Sequence, residues 1–442
     1  MKKSIVFLIF INLVSSLTGQ YIVSGGSGIP LRGVNDITNR TEVYLLNGLS
    51  GARISYFASE PGTHQWYRYR NSINDLEPVF SYQDGNMSYI TDVRDGYGYF
   101  VGMPTKIEQH YVWIIDYSRY IPRFINIKTV TGDDKCEFLK ILTEAEVESE
   151  TLPFNLPSET PRTLYIDRKY QIQYYTQDWN EDNRQFVIVE KNIELKNDQI
   201  FEFVIDAPLI NTHFTLSGDQ YAEYFGIPQM IRSDEYDAIA VKAYGFAETD
   251  KEHADNEQHH SGDALGGSAP IEYTFTAYAN EPVAASYIWK ILQYDSLTNQ
   301  MTMKVRYTDK LLRYNFESEG RFRVELEVTN STSACVDTTV FFNVIIDNTK
   351  IKIPNVFSPG SSIGANDELK ISFTSVVSFK ASVFNRWGNL LFQWSDPARG
   401  WDGRVNGVYV PTGVYYVVVE YKDSMGKNRT MSRAVNVLRA KN

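Results

Sequence analysis

The sequence predicts an all-β protein built from consecutive β-sandwich domains. Short runs in which apolar and polar residues alternate are separated by turn residues, with no helical period between them. Aromatic residues make up 14% of the chain, including 30 Tyr, which favours the pleated surface of strands. The chain has 442 residues, and domains of roughly 100 to 200 residues are usual, so three or four domains are expected.

The N-terminus predicts export. Lys2 and Lys3 precede an apolar stretch from Ile5 to Val14, and small polar residues follow up to Gly19. This order is typical of a signal peptide, so we assign residues 1–19 to one and expect cleavage before Gln20. No later run approaches roughly 18 apolar residues, so the mature chain is predicted to lack a transmembrane span. The expected location is secreted or at the cell surface, reached through the periplasm.

Charge and cysteine content exclude some classes of protein. Residues 351–442 carry a formal charge of +6, which leaves −17 on the first 350 residues. An acidic body of this kind predicts no nucleic-acid partner, because phosphate binding needs a cationic face. Cys136 and Cys335 are the only cysteines in the sequence, too few for a disulfide scaffold. Whether they bond to each other is left open by the sequence.

Residues 20–145 are predicted to form an immunoglobulin-like sandwich. Apolar alternation recurs from residue 42 onward, and the segment 95–99, Asp-Gly-Tyr-Gly-Tyr, precedes an apolar strand. That segment resembles the tyrosine corner of immunoglobulin-like folds, in which a Tyr hydroxyl ties down a strand connection. A chance tyrosine in a Tyr-rich chain is the alternative reading.

Two further segments follow. Residues 146–247 are predicted to be a β-rich domain, entered through a Pro- and Glu-rich connection near residues 144–163, with a β-sandwich as the default fold. Residues 248–268 are acidic, His-bearing and Gly-rich, and have almost nothing apolar to bury. They are predicted to be an exposed linker. Although His253 and its acidic neighbours include metal-ligand types, a mobile linker would not fix them, so no metal site is predicted.

Residues 269–348 are predicted to be a further sandwich. Trp289 lies in an early strand, and Gly320 precedes a strand in which Val324, Leu326 and Val328 alternate with polar residues. This pattern resembles the PKD-type repeat, a small immunoglobulin-like sandwich of bacterial surface proteins. The resemblance implies that Trp289 lies in the core.

Residues 349–442 carry the most specific pattern in the chain. Alternating apolar positions predict antiparallel strands, glycines between them predict tight turns, and Trp387 and Trp401 are both expected in the core. The motif residues, in order, are Pro354, Asn355, Phe357, Pro359, Asn366, Asp367, Phe384, Asn385, Arg386, Trp387, Gly388, Trp401, Asp402, Gly403, Gly407, Pro411, Gly413 and Tyr415.

The order of these motifs resembles the gliding motility-associated C-terminal domain, the type B sorting domain of the type IX secretion system in Bacteroidetes. The resemblance implies that secretion machinery recognises the folded domain at the outer membrane, with help from a partner outer-membrane protein. Two departures concern the segment 360–365, where the family has an Asn-Gly-Asp-Gly loop, and Arg433-Ala434, where it has a Gly. The resemblance therefore assigns no role to that loop.

The sequence contains no Gly-x-Ser-x-Gly, His-Glu-x-x-His or phosphate-loop motif, so neither catalysis nor a cofactor is predicted. The predicted function is that of a non-enzymatic, exported surface protein with a structural, adhesive or accessory role. Surface glycans and other surface proteins are candidate partners. One alternative is a secreted carbohydrate- or ligand-binding protein, including a carbohydrate-active one, and another is a component of the secretion or gliding machinery. A cleft with carboxylates and stacked aromatics within residues 163–246 would favour carbohydrate binding.

Overall fold

The computed structural model describes residues 20–103, 106–107, 110–259, 264–361 and 366–439. The predicted signal peptide, residues 1–19, lies outside the described residues. No helix within the described part of the chain is long and apolar enough to cross a bilayer. The described residues fold into four β-rich modules in succession, which confirms the prediction of an all-β chain of tandem sandwiches.

The first module is a sandwich of two sheets. Its strands are β1 (Gln20–Ser24), β2 (Leu31–Asp36), β3 (Thr41–Leu46), β4 (Arg53–Phe57), β5 (Gln65–Tyr69), β6 (Glu77–Val79), β7 (Tyr82–Asp84), β8 (Met87–Ile90), β9 (Tyr97–Met103), β10 (Lys106–Ile107) and β11 (Tyr111–Asp116). One sheet has the order β1-β4-β8-β7, the other β2-β3-β11-β9-β5-β6, and β10 pairs with β9. The Tyr99 hydroxyl accepts a hydrogen bond from the Arg94 amide at 2.7 Å, a tie of the kind predicted for this corner.

The second module has a three-stranded and a four-stranded sheet. This part of the chain contains β12 (Arg123–Val130), β13 (Phe138–Glu146), β14 (Thr151–Asn155), β15 (Thr163–Asp167), β16 (Lys169–Asn180), β17 (Gln185–Lys196), β18 (Glu202–Asp206), β19 (Thr215–Gly218), α1 (Gln220–Tyr224) and β20 (Gln229–Arg232). The sheets are β12-β13-β18 and β17-β16-β19-β20. The predicted boundary between residues 145 and 146 therefore falls inside β13, because β13 pairs with both neighbours in the second module.

The Pro-rich segment predicted as a plain connection contains an inserted hairpin. Strands β14 and β15 pair with each other and not with the second module. Leu152 and Phe154 are buried in one apolar cluster with Val43 and Leu45 of the first module. Leu152 and Phe154 alternate along β14 and supply a buried face, so this segment packs on the first module instead of staying solvated.

The third module packs around Trp289, which is fully buried, as predicted. Its strands are β21 (Ala243–Glu248), β22 (Leu265–Gly267), β23 (Ile271–Ala279), β24 (Ala284–Asp295), β25 (Gln300–Tyr307), β26 (Leu311–Phe316), β27 (Gly320–Asn330), β28 (Val336–Asp337) and β29 (Phe341–Ile346). The sheets are β21-β23-β26 and β22-β29-β27-β24-β25, with β28 on β27. Val324, Leu326 and Val328 of β27 all point into the core. Because β21 and β22 belong to these sheets, the module begins before the predicted residue 269.

The fourth module has its own core, separate from that of the third. Its strands are β30 (Lys350–Lys352), β31 (Val356–Phe357), β32 (Leu369–Lys370), β33 (Ser372–Thr374), β34 (Val376–Phe384), β35 (Leu390–Trp394), β36 (Gly400–Trp401), β37 (Arg404–Val405), β38 (Val408–Tyr409), β39 (Gly413–Asp423) and β40 (Asn428–Val437). The main sheet has the order β31-β40-β39-β34-β35. Smaller pairs are β30-β33, β32-β36 and β37-β38.

The predicted exposed linker is wrong over residues 254–258, which lie as a strap against the fourth module. The Asn256 amide donates to the carbonyl oxygens of Ile371 and Pro397, both at 2.8 Å. The side chain of Glu257 is 5% exposed and pairs with Lys251 at 2.8 Å. A segment poor in apolar residues can still dock when its polar groups find fixed partners, because a satisfied buried hydrogen bond removes the cost of desolvation.

Cys136 and Cys335 form a disulfide across 199 residues of sequence. Cys136 lies just before β13 of the second module, and Cys335 lies between β27 and β28 of the third. The bond therefore joins two modules covalently, which answers the question that the sequence left open. It also suits the oxidising compartments that an exported chain passes through.

Removing this bond should weaken the joined pair of modules. We expect C136S/C335S to lower the free energy of unfolding by about 2 to 4 kcal/mol. The disulfide restricts the conformational entropy of the unfolded chain, and without it the unfolded state becomes more favourable. Calorimetry of the double variant, compared with the wild type with and without reductant, measures the loss. Equal melting temperatures in all three samples would show that the bond contributes nothing.

Candidate functional site

The buried motif residues of the fourth module meet around Trp401, which is fully buried as predicted. Its ring lies 5.5 Å from that of Phe357 and 5.8 Å from that of Tyr415, measured between centroids. The indole Nε1 donates to the Arg404 carbonyl at 3.0 Å, so its polar atom is satisfied. These contacts hold β31, β36 and β39 together, and these motif residues are therefore fold residues.

Two distant motif blocks meet where Pro359 covers Gly403. A Cβ at Gly403 would lie 2.7 Å from the Pro359 ring, and φ at this residue is 76°. Both facts require glycine there. The Asn355 carbonyl accepts from the Asn436 amide at 2.9 Å, where the chain enters β31 beside β40. Pro354 just before it is half-buried.

The loop that differs from the family pattern, residues 360–365, is followed by a residue that a backbone hydrogen bond fixes. Asn366 has φ of 57°, and its carbonyl accepts from the Ser358 amide at 2.9 Å. Asp367 follows it and is half-buried. Residues 362–365 lie outside the described residues, so nothing is assigned to the core of that loop.

The turn at residues 385–389 turns Trp387 toward solvent. The Asn385 side-chain oxygen accepts from the amides of Trp387 and Asn389, both at 3.0 Å, and Gly388 has φ of 83°. This tight turn leaves Trp387 71% exposed. The prediction that Trp387 lies in the core is therefore wrong, because the side-chain amide of Asn385 fixes the turn without help from the indole.

A groove lies beside this exposed indole, and we call it the Trp387 groove. It has a volume of about 470 Å³ and is lined by Asn385, Arg386, Trp387, Leu391, Val405 and residues 410–415. The register that places Phe384 opposite Tyr416 brings the end of β34 beside the start of β39. Consequently the motif residue Arg386 shares one surface with Pro411 and Gly413, which belong to a later motif block.

The Trp387 groove combines apolar area with positive charge. The Arg386 guanidinium lies 4.2 Å from the centre of the Trp387 ring, an arrangement that holds the indole in place while leaving it accessible. Nearby, Tyr409 has Arg404 at 4.2 Å and Arg439 at 4.7 Å from its ring centre. Trp and Arg are the side chains that most often dominate binding at protein interfaces.

The structure divides the predicted motif residues into a core set, a surface set and a half-buried set. Those in contact with the core are Phe357, Pro359, Trp401, Gly403 and Tyr415. Those at the surface are Asn355, Asn366, Arg386, Trp387, Gly388, Asp402, Gly407, Pro411 and Gly413, and Pro354, Asp367, Phe384 and Asn385 are half-buried. Sequence reasoning missed Leu391, Val405 and Val410 of the groove, because an apolar strand residue gives the same signal whether it faces a core or a groove.

The comparisons identify two of the modules. Residues 351–435 match the family model described as CHU_C Type IX secretion signal domain, and residues 128–233 match the one described as Fibronectin type III domain. The fourth module is thus a type IX secretion signal domain, and a fibronectin type III domain precedes it. The PKD-type resemblance of residues 269–348 stays a prediction. No curated protein matches the chain.

Solved structures show only remote likeness. Native Escherichia coli alpha-2-macroglobulin is 10% identical, with a TM-score of 0.18 over 97% of this chain and 30% of its own. The trypsin-activated form is 7% identical, with a TM-score of 0.18 over 95% and 33%. Three N-terminal domains of the bacteriophage RB49 outer capsid protein Hoc are 7% identical, with a TM-score of 0.20 over 73% and 100%. This chain spans about a third of the length of the macroglobulin chains. At TM-scores of 0.18 to 0.20, these likenesses indicate neither a shared fold nor a shared function.

Proposed function

We propose that this chain, which ends in a type IX secretion signal domain, is a non-enzymatic surface protein with a structural, adhesive or accessory role. Export through the type IX system follows from the domain that residues 351–435 match. Retention at the outer membrane by a partner outer-membrane protein is the finer part of the proposal. The preceding modules would then be displayed outside the cell.

The observation that carries the export part of the proposal is the exposure of Trp387, which is 71% exposed. Leaving a large indole in water forgoes about 2 to 3 kcal/mol of burial, so the residue stabilises the isolated fold little. A partner that covers the Trp387 groove would recover that free energy on binding. The groove therefore supports a protein contact with the secretion machinery, made by the folded domain and not by a linear peptide, because its residues come together only in the fold.

Export should fail when this contact is removed. We expect W387A to lower the fraction of protein at the cell surface about tenfold or more, since a central interface Trp is worth about 2 kcal/mol or more. Deletion of residues 349–442 should abolish display. Protease accessibility of intact cells, with periplasmic fractions as the complement, measures both effects.

M425A is the matched control. Met425 is 74% exposed and lies in the turn after β39, at the other end of that strand from Gly413. Its replacement should leave export unchanged. Normal surface display of the truncated chain would refute the sorting role, and equal export of W387A and M425A would refute the role of the groove.

A further inference from the structure

A cleft lies between the second and third modules, beside the disulfide. Its volume is about 500 Å³, within the roughly 300 to 1,000 Å³ of small-molecule sites. β16 and β17 line it from the second module, and β21 and β28 line it from the third. We call it the interdomain cleft. Its lining includes Glu137, Gln177, Trp179, Phe186, Asp206 and Tyr244.

Aromatic rings from both modules meet in the interdomain cleft. Trp179 of β16 stacks on Tyr244 of β21, with ring centroids 4.4 Å apart and planes 11° apart. Phe186 of β17 meets Trp179 edge-on at 5.4 Å. The cleft therefore has a broad aromatic wall that neither module forms alone.

Two buried polar atoms at the cleft lack partners. Gln177 is 8% exposed, and its Nε2 donates to the Glu281 carbonyl at 3.0 Å. Among the described residues, neither Gln177 Oε1 nor Trp179 Nε1 has a hydrogen-bond partner. Gln177 and Trp179 are two residues apart on β16, so they project from the same face of the strand. A buried polar group without a partner costs about 1 to 3 kcal/mol, so this acceptor and this donor call for a ligand that supplies both.

Carboxylates add acceptors around these atoms. Glu137 and Asp206 are exposed and line the cleft, while Asp178 is paired with Lys191 at 2.6 Å. Burial, and then the charges of Asp206 and Asp178, raise the pKa of the Tyr174 hydroxyl to about 12. The lining also contains Asp337, Lys191 and Lys242, so four carboxylates face two ammonium groups. This excess of negative charge disfavours an anionic ligand.

We propose that the interdomain cleft binds a neutral carbohydrate. Both atoms are sealed from solvent, so their side chains turn toward the ligand on binding. One sugar hydroxyl then donates to Gln177 Oε1 and another accepts from Trp179 Nε1, since a hydroxyl does both. The C–H faces of the sugar ring pack against the aromatic wall, and Glu137 and Asp206 accept hydrogen bonds from further hydroxyls.

The two modules that form the cleft are tied together before binding. The disulfide and the hydrogen bond from Gln177 to Glu281 both cross from one module to the other. This lowers the entropy cost of binding, because the ligand does not have to bring the modules together. The inference does not rest on the export route, and D206N should be exported normally.

Calorimetric titration of the purified full chain tests the site. The probes are cellohexaose, xylohexaose, mannohexaose and chitohexaose, with tryptophan fluorescence as a second readout. We expect at least one of them to bind and D206N and E137Q each to weaken it about tenfold, the loss of a hydrogen bond to a charged group. Both residues are exposed, so the variants should fold. M425A is the control and should bind as the wild type does, because Met425 is 74% exposed and lies in the fourth module.

Three results would overturn the proposal. The first is no heat and no fluorescence change with any of these sugars at millimolar concentration. The second is binding that D206N and E137Q leave unchanged. The third is binding of choline chloride without binding of any sugar, which would mean that the aromatic wall recognises a cation.

Discussion

Replacing Asp219 with alanine is expected to lower the free energy of unfolding by about 3 to 5 kcal/mol, because it leaves a buried guanidinium without its partner. Arg168 and Asp219 are both fully buried, and Arg168 Nε lies 2.6 Å from Asp219 Oδ2. Arg168 also donates to the Ser149 carbonyl at 2.6 Å. Chemical denaturation of the full chain measures the loss.

The pair matters because it joins modules. The Tyr117 hydroxyl, at the end of the first module, donates to Asp219 Oδ1, and burial followed by the charge of Asp219 raises the pKa of that hydroxyl. The same Oδ1 caps α1 through the Ala222 amide at 3.0 Å. Without Asp219, the hydrogen bond from Tyr117 of the first module and the ion pair with Arg168 of the second are both lost.

The ion pair between Arg123 and Glu146 provides the control. Its atoms are 2.7 Å apart, but the side chains are 73% and 62% exposed, so water screens them. E146A should cost about 0 to 1 kcal/mol. If D219A is no more harmful than E146A, the buried network does not hold the junction.

The second large effect is expected from W401A. Removing this fully buried ring should cost the fourth module about 3 to 5 kcal/mol, because the surrounding rings of Phe357 and Tyr415 cannot close the cavity. Hydrogen exchange of amides in β39 and β40 resolves this module from the others. Faster exchange there, with unchanged exchange in β24 and β27, is the expected result.

W387A is the matched comparison for stability. It removes a ring of the same kind that is 71% exposed, so the stability should change by no more than about 0.5 kcal/mol. Both variants should lose export, W401A through unfolding and W387A while still folded. Equal destabilisation by the two changes would contradict the division of these motif residues into a core set and a surface set.

These two tryptophans show the limit of sequence reasoning. Trp401 and Trp387 both lie beside glycine-bearing turns in motif blocks, and the sequence predicts the same core role for each. Their environments differ because the side chain of Asn385 fixes a turn that exposes Trp387, whereas Trp401 is buried. The docking of the strap could not be predicted from the sequence either. Asn256 is polar, and its partners Ile371 and Pro397 lie more than a hundred residues away in the chain.

The sequence by itself determined the local pattern: which residues alternate along strands such as β27, where turns interrupt them, and that the last ninety or so residues form a separate unit with a sorting motif. These follow from short-range periodicity and steric rules. The tertiary structure alone decided that Cys136 meets Cys335, that Trp387 faces solvent and that Gln177 and Trp179 line a cleft. Periodicity marks the apolar face of a strand, but what covers that face depends on contacts between residues distant in the chain.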